Sequence, residues 1–168
     1  FFAEAGHDLE DYLDPIGLDP QWRCFFPDGS TLDLVENVDA MADSLDDYAP
    51  QTGAGEGYRA FQALSERLHQ ISDRYYFWKS IGGIADMIDP KFGFSLSVVG
   101  DVLAMRMGRS VAGTVRKFHR DPRVAQMLDH FTQYVGSSPE QPPAVLCGIA
   151  HMQTQEGIWY PRGGTRAV

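Results

Sequence analysis

The pattern of hydrophobic and polar positions along this chain is mostly helical, and its clearest stretch runs from about Glu56 to Trp78. Apolar side chains recur there every three or four residues, which places them on one face of an amphipathic helix. The residues of this face are Tyr58, Phe61, Leu64, Leu68, Ile71, Tyr75 and Trp78. The spacing therefore predicts one long helix over 56–78 that buries a single face.

Residues that begin or end helices bound two more of these elements. Asn37 is a favoured N-cap, and the apolar positions that follow it share one face until Pro50 stops the pattern. Asp121 and Pro122 are residue types typical of an N-cap and a first helical position, and Gly136 is a favoured stop. The predicted inward face of this second helix consists of Val124, Met127, Leu128 and Phe131.

The remaining helical signals are shorter. Residues 92–118 are apolar at first and then basic, which indicates one or two helices divided near Gly108. Pro143 opens the last helix, and Gly157 ends it. The glycine-rich segment 53–57 follows a helix instead of a strand and lacks G-x-G-x-x-G spacing. We therefore interpret it as a loop between helices and not as a phosphate-binding loop.

Three short strands complete the predicted elements. The β-prone runs 22–26 and 31–35 flank a turn that contains Asp28 and Gly29, which predicts a β-hairpin. Residues 158–160 form an aromatic run with no neighbouring strand in the sequence. We expect this run to pair either with the hairpin or with a strand outside these residues. The expected fold class is α+β, mostly helical, with a short β-hairpin and one further strand.

Composition is typical of a soluble globular protein. The 168 residues suffice for one domain with a core, and a hydrophobic content of 43% is ordinary. No apolar run approaches the ~20 residues that a membrane-spanning helix needs. Cys24 and Cys147 lie far apart without metal-ligand spacing, so we expect reduced core thiols and a cytoplasmic protein. The five histidines show no H-E-x-x-H or paired Cys/His pattern, so we predict no metal site.

The net charge is −9, and its distribution is uneven. A negative chain is a poor partner for nucleic acid, because phosphate binding needs a basic surface. More than half of the acidic residues fall within 1–50, whereas the stretch 106–123 is basic. This stretch is either an ordinary solvated helix face or a patch that binds anionic lipid headgroups and holds the protein at the periphery of a membrane. Its bases are Arg106, Arg109, Arg116, Lys117, Arg120 and Arg123.

The most specific segment is the aromatic strand 158–160 with the turn that follows it. Pro161 cannot donate to a strand ladder, and Gly163 and Gly164 let the backbone come close to a bulky group. Thr165 can cap a following helix. We interpret the segment as one wall of a substrate or flavin cavity, with a purely structural turn as the alternative. The candidate residues are Trp159, Pro161, Arg162, Gly163, Gly164 and Thr165.

A strand followed by W-Y-P-R-G-G-T resembles the signature of bacterial-type phytoene desaturases, within the FAD-dependent carotenoid desaturases. The resemblance extends upstream through 121–123 and 134–136 and, more weakly, to the early hairpin. It implies that 1–168 is an internal, substrate-binding segment excised from a two-domain flavoenzyme, whose FAD-binding Rossmann portions lie outside the chain. It also implies that these residues are inactive by themselves.

The reaction implied by the resemblance is dehydrogenation of a long isoprenoid such as phytoene, with a hydride passed to FAD. A flavin-dependent isoprenoid reductase, an isomerase or an amine-oxidase-like enzyme is the nearest alternative. A helical lipid-binding module without redox activity is an alternative from a different class.

Two aspartates are candidates for proton transfer. Asp86 lies in a segment similar to the family's x-D-M-L stretch, although Asp89 stands where the family has an arginine. Asp101 is its rival, within an apolar stretch. A carboxyl in an apolar cavity has a raised pKa and can handle a proton. Neighbouring apolar side chains are expected to line a tunnel for the polyene, to form ordinary core or to insert shallowly into a membrane. These are Leu103, Met105 and Met107.

Overall fold

The computed structural model describes residues 2–73, 100, 105 and 108–167. Within these residues the chain forms α-helices, short strands and several 3-10 turns. The helices are α1 (Val38–Tyr48), α2 (Ala54–Ser72), α3 (Val111–Phe118), α4 (Pro122–Asp129) and α5 (Gly148–Glu156). The strands are β1 (Pro15–Gly17), β2 (Trp22–Phe25), β3 (Thr31–Leu34) and β4 (Trp159–Pro161). The mixture of helices and short strands agrees with an α+β composition.

The predicted hairpin is confirmed. Strands β2 and β3 are antiparallel, with Trp22 opposite Leu34 and Phe25 opposite Thr31. In the connecting turn, the Asp28 carboxylate accepts hydrogen bonds from the backbone N–H and the hydroxyl of Ser30. Such local bonds are the reason that aspartate favours turns.

Strand β4 pairs with a strand that the sequence pattern did not predict. Its partner is β1, antiparallel, with Gly17 opposite Trp159 and Pro15 opposite Pro161. The observed partner is therefore neither of the two that were expected, the hairpin or a strand outside these residues. A three-residue strand that begins with proline and ends with glycine carries no alternation of polar and apolar positions, so β1 left no recognisable signal.

The predicted helix starts and stops are largely confirmed. The Asn37 side chain accepts a hydrogen bond from the Ala40 N–H at 2.9 Å, as an N-cap does. Asp121 accepts from the Arg123 N–H at 2.8 Å, with proline in the first helical position. Helix α4 continues as a 3-10 helix (His130–Val135), which Gly136 closes in the left-handed conformation with φ of 66°.

Helix α2 starts earlier than predicted, and this shortens the glycine loop. Its first residue is Ala54, so Gly55 and Gly57 lie within its first turns. A Cβ atom on Gly55 would overlap the Ala42 carbonyl, and one on Gly57 would overlap the Phe118 carbonyl. These glycines serve close helix packing. The predicted helix end, at Trp78, lies outside the described residues.

The core lies around α2, which packs against α1, α3 and α5. All four inward positions predicted for the helix after Asp121 are buried. Buried polar contacts join α2 to the end of the chain: the Ser65 hydroxyl donates to the Cys147 carbonyl and accepts from the His151 N–H. The side chains with no solvent exposure include Met41, Leu45, Tyr58, Phe61, Leu68, Val115, Val124 and Met127.

Candidate functional site

The turn after β4 is held against the residue that precedes β1. The Arg162 N–H donates to the Asp14 carbonyl at 2.8 Å, and the Arg162 guanidinium also contacts the Asp14 carboxylate. The Gly164 N–H closes the turn on the Pro161 carbonyl at 2.9 Å. Gly163 and Gly164 have φ values of 92° and 80°, in the region that favours glycine. The tight turn predicted for this motif is present.

Space beside the turn is restricted as well. A Cβ atom on Gly164 would lie 3.1 Å from the Tyr160 hydroxyl oxygen, which leaves little room for a side chain. Thr165 is the first residue of a 3-10 turn (Thr165–Ala167), one position later than the N-cap role predicted for it. The glycine pair therefore fixes the path of the backbone immediately after β4.

Strand β4 presents aromatic side chains to solvent. Trp159 is 61% exposed and Tyr160 is 48% exposed. The Trp159 indole packs over Gly17, and its N–H donates to the Glu156 carbonyl at 2.6 Å. Tyr12, also exposed, hydrogen-bonds the His7 ring at 2.8 Å. Large aromatic groups exposed together are typical of a contact surface.

Most of the other predicted site residues lie outside the described part of the chain. These are Asp86, Asp101, Leu103 and Met107, so the predicted acid/base roles and most of the predicted tunnel wall stay predictions. Met105 is described and is 1% exposed. Its burial is compatible with a tunnel wall and with ordinary core.

The described part of the basic stretch 106–123, which begins at residue 108, does not form a uniform cationic patch. Arg116 forms an ion pair with Glu140 at 2.8 Å. Arg123 pairs with Asp121 and Asp28, both at 2.8 Å, and its guanidinium lies 4.7 Å from the centre of a tyrosine ring. The bases of this stretch that are described and exposed, without an ion pair to another described residue, are Arg109, Lys117 and Arg120.

An open cleft of about 850 Å³ lies between the end of α3 and the segment that follows α4. Its volume is within the range of small-molecule sites. Basic, acidic and imidazole groups share its wall with polar amides and two prolines. The titratable residues that line it are Arg116, His119, Arg120, Asp129, His130 and Glu140.

Asp129 is the buried acid of this cleft, with 6% of the residue exposed. Burial raises the pKa of its carboxyl to about 6, and the positive charge of Arg116 opposes this rise. The nearest Arg116 nitrogen is 3.9 Å away, because that guanidinium is held more closely by Glu140. Asp129 is therefore a weakly neutralised carboxyl at the wall of an open cleft.

Burial disfavours the charged form of both histidines of the cleft. His119 is buried, both of its ring nitrogens lack a hydrogen-bond partner among the described residues, and burial lowers its pKa to about 4. Burial also lowers the pKa of His130, whose ring stacks on Trp22 with centroids 4.8 Å apart.

Sequence reasoning missed the cleft. Ala125, Asp129 and Thr132 are buried and line it, at spacings of four and three residues. This spacing places an acidic residue on the apolar face of a helix, which is the signal that was available. What the spacing does not reveal is the partner, since Arg116 and Glu140 come from other segments.

The described residues do not form a dinucleotide site. Such a site uses a parallel strand, a glycine-rich turn and a helix N-terminus. The sheets of the described chain are antiparallel pairs, and the 53–57 glycines follow a helix. Among the described residues, no group of three His, Cys, Asp or Glu side chains is suited to a metal ion.

No family model matches the chain, but individual proteins do. It is 34% identical over 163 residues to a 4,4'-diapolycopene oxygenase from Methylomonas sp. It is 30% identical over 172 residues to a carotenoid 3,4-desaturase from Haloarcula japonica and to a 4,4'-diaponeurosporene oxygenase from Staphylococcus aureus. These matches cover 97–100% of this chain and 31–32% of each relative. The chain thus spans about a third of the length of the curated relatives it matches.

Proposed function

Because this chain is homologous to carotenoid desaturases and oxygenases, as its strand-and-turn motif predicted, we propose that it is the substrate-side segment of an FAD-dependent carotenoid desaturase. The substrate is a long isoprenoid such as phytoene. The observation that carries the proposal is the extent of the similarity, at 30–34% identity over nearly every residue of the chain.

The described surface supports a hydrophobic ligand. A polyene offers no hydrogen bonds, so contact area and apolar walls must hold it. Trp159 and Tyr160 supply exposed aromatic area next to the backbone turn at Gly163 and Gly164. In the proposal, this turn borders the cavity and the aromatic side chains contact the substrate or the protein around it.

In this proposal, as in the family that the chain resembles, the flavin is held by FAD-binding portions of the full-length protein outside these residues. FAD would accept the hydride removed from the substrate. These 168 residues alone are then inactive, and their contribution is to bind the hydrocarbon and to exclude water.

A second candidate is a carotenoid oxygenase. Two of the relatives are named oxygenases of 4,4'-diapolycopene and 4,4'-diaponeurosporene, and the one named desaturase is no more similar than they are. A flavin-dependent reductase, an isomerase and an amine-oxidase-like enzyme, together with a lipid-binding module without redox activity, complete the alternatives.

We further propose a cytoplasmic protein at the membrane periphery, where its lipophilic substrate is dissolved. Within the described chain, none of the helices has both the length and the apolarity needed to cross a bilayer. The exposed bases Arg109, Lys117 and Arg120 are the groups available to anionic headgroups.

The test is to purify the full-length polypeptide that carries this chain, record its absorbance spectrum and incubate it with phytoene in lipid vesicles. Bound flavin and products with longer conjugation are the expected results. Flavin without longer conjugation would favour the reductase or isomerase. A protein that binds phytoene but contains no flavin would support the alternative of a lipid-binding module without redox activity.

Oxygen isotope labelling separates the two leading candidates. The desaturase yields products that contain no oxygen, whereas an oxygenase supplied with labelled O₂ yields heavier, oxygenated carotenoids. Mass spectra of the extracted carotenoids distinguish the two outcomes directly.

A further inference from the structure

The cleft beside α3 and α4 carries two unsatisfied charges of opposite sign. Arg120 is exposed at its wall, and among the described residues it has no ion-pair partner. Asp129 is buried, and its carboxylate has only the 3.9 Å contact with Arg116 as an ion pair in the described chain. A buried carboxylate without close donors is costly, so a donor that enters the cleft stabilises it.

Arg116 does not neutralise the Asp129 carboxylate, because its guanidinium lies closer to Glu140. The Arg116 to Glu140 distance is 2.8 Å, against 3.9 Å to Asp129. Arg116 is therefore paired with Glu140, and the Asp129 carboxylate is left without a close cationic partner among the described residues. A ligand that bears one anionic group and one hydrogen-bonding cation can neutralise Arg120 and Asp129 together.

We propose that this cleft binds a phosphate ester that also carries a primary ammonium, the chemistry of an ethanolamine phosphate headgroup. The phosphate contacts Arg120 and the outer side of Arg116, since guanidinium groups bind phosphate through paired N–H donors. The ammonium donates its N–H groups to Asp129. The cleft volume of about 850 Å³ admits such a group.

The ligand has two sources, a membrane phospholipid or a soluble phosphate ester. The membrane source rests on the proposed peripheral association, whereas the headgroup chemistry does not. A choline headgroup is the matched negative control, because it has the same phosphate and the same charge but its quaternary nitrogen has no N–H to donate to Asp129.

The experiment measures flotation of the purified protein with vesicles of two compositions. One contains phosphatidylethanolamine and phosphatidylglycerol, and the other replaces the ethanolamine lipid by phosphatidylcholine at the same surface charge. We expect binding to the ethanolamine vesicles to be about fivefold tighter, as one charge-assisted hydrogen bond near water would give. The preference should disappear in Arg120→Gln and in Asp129→Asn.

Arg109→Gln is the matched control, because it removes one exposed base that does not line the cleft. It should weaken binding to both vesicle compositions equally and keep the preference. A preference for the ethanolamine vesicles that survives Asp129→Asn would overturn the headgroup site, as would equal binding of the wild-type protein to both compositions together with equal binding of soluble phosphoethanolamine and phosphocholine. Thermal unfolding of each variant verifies that it is folded.

Titration with soluble phosphoethanolamine and phosphocholine separates this site from the membrane proposal. If vesicles of neither composition bind but phosphoethanolamine does, and Asp129→Asn abolishes that binding, the site stands and membrane association fails. If neither the ethanolamine vesicles nor phosphoethanolamine is preferred over its choline counterpart, the site is refuted. This holds even when the exposed bases bind both kinds of vesicle.

Discussion

The helical core and the β1–β4 pair differ in how they are stabilised. Helix α2 buries aromatic and aliphatic side chains completely, among them Tyr58 and Phe61, and is joined to α5 by buried hydrogen bonds. The β1–β4 pair has three residues in each strand, and two of its large side chains, Trp159 and Tyr160, face solvent. Stability thus resides in the first region and accessible surface in the second.

Because of this difference, substitutions in the helical core should change the free energy of unfolding, whereas substitutions in the β1–β4 pair should change mainly function. Burial of apolar area gives the core its free energy of unfolding, whereas an exposed side chain contributes little of that energy. A residue of β4 can therefore be truncated with the fold intact, and any loss of activity in the full-length protein is then attributable to contact with substrate or with neighbouring protein.

The largest effect is expected from Phe61→Ala. Phe61 has no solvent exposure and its ring packs at 5.9 Å from the Phe118 ring, so truncation leaves a cavity. The free energy of unfolding should fall by about 4 kcal/mol, measured by urea denaturation. A loss below about 1 kcal/mol would mean that the core closes around the site and that the contrast with β4 is weak.

The next effect is expected from Gly57→Ala. This change should lower the free energy of unfolding, although a glycine-to-alanine change within a helix usually raises it. Alanine ordinarily stabilises a helix relative to glycine by about 1 kcal/mol. Here the added Cβ overlaps the Phe118 carbonyl, so we expect destabilisation of about 2 kcal/mol in the same denaturation assay. An increase in stability would show that α2 and α3 do not approach each other this closely.

Asp129 lies at the edge of the helical core, and Asp129→Asn should change how the free energy of unfolding depends on pH. Because burial raises the folded-state pKa to about 6, the stabilising contribution of Asp129 is complete at low pH and is lost as pH rises through about 6. The asparagine variant should therefore be more stable than wild type above that pH, by at most about 3 kcal/mol, since one pKa unit corresponds to about 1.4 kcal/mol.

The comparison between these two proteins isolates Asp129 from other titrations. His119, with its pKa lowered to about 4, and Asp121, with its pKa lowered beside Arg123, both favour the folded state at higher pH. Their effects are common to wild type and variant and cancel in the difference between the two unfolding curves. A difference that does not change between pH 4 and pH 7 contradicts the prediction.

The smallest effect on stability is expected from Trp159→Ala. Its ring is mostly exposed, so the free energy of unfolding should change by less than about 1 kcal/mol. In the proposed full-length desaturase, in which Trp159 contacts the substrate, the same change should lower turnover of the carotenoid by at least about tenfold. Loss of stability comparable to that of Phe61→Ala would place Trp159 in the core instead.

Local signals predicted much of this fold from the sequence. The caps at Asn37 and Asp121 are correct because a side-chain oxygen at those positions bonds to the N–H groups of its own helix. The hairpin is correct because its turn and both of its strands lie within a few residues of one another. Each of these features is decided by neighbours in the chain.

What the sequence could not supply are the long-range pairings. The partner of β4 is β1, which lies far from it in the sequence, and no local sequence pattern predicts this pairing. The pKa of Asp129 is raised first by burial, with further effects of Arg116 and Glu140, which other segments bring to it. The motif at 159–165 identified a homologous family, but its geometry relative to Asp14 required the structure.

The β1–β4 pair has a topological consequence. Because Gly17 lies opposite Trp159, the intervening chain is one closed loop of about 140 residues, whose entry and exit run side by side. A unit with adjacent entry and exit can be carried as an insertion in a larger protein without diverting the path of its host.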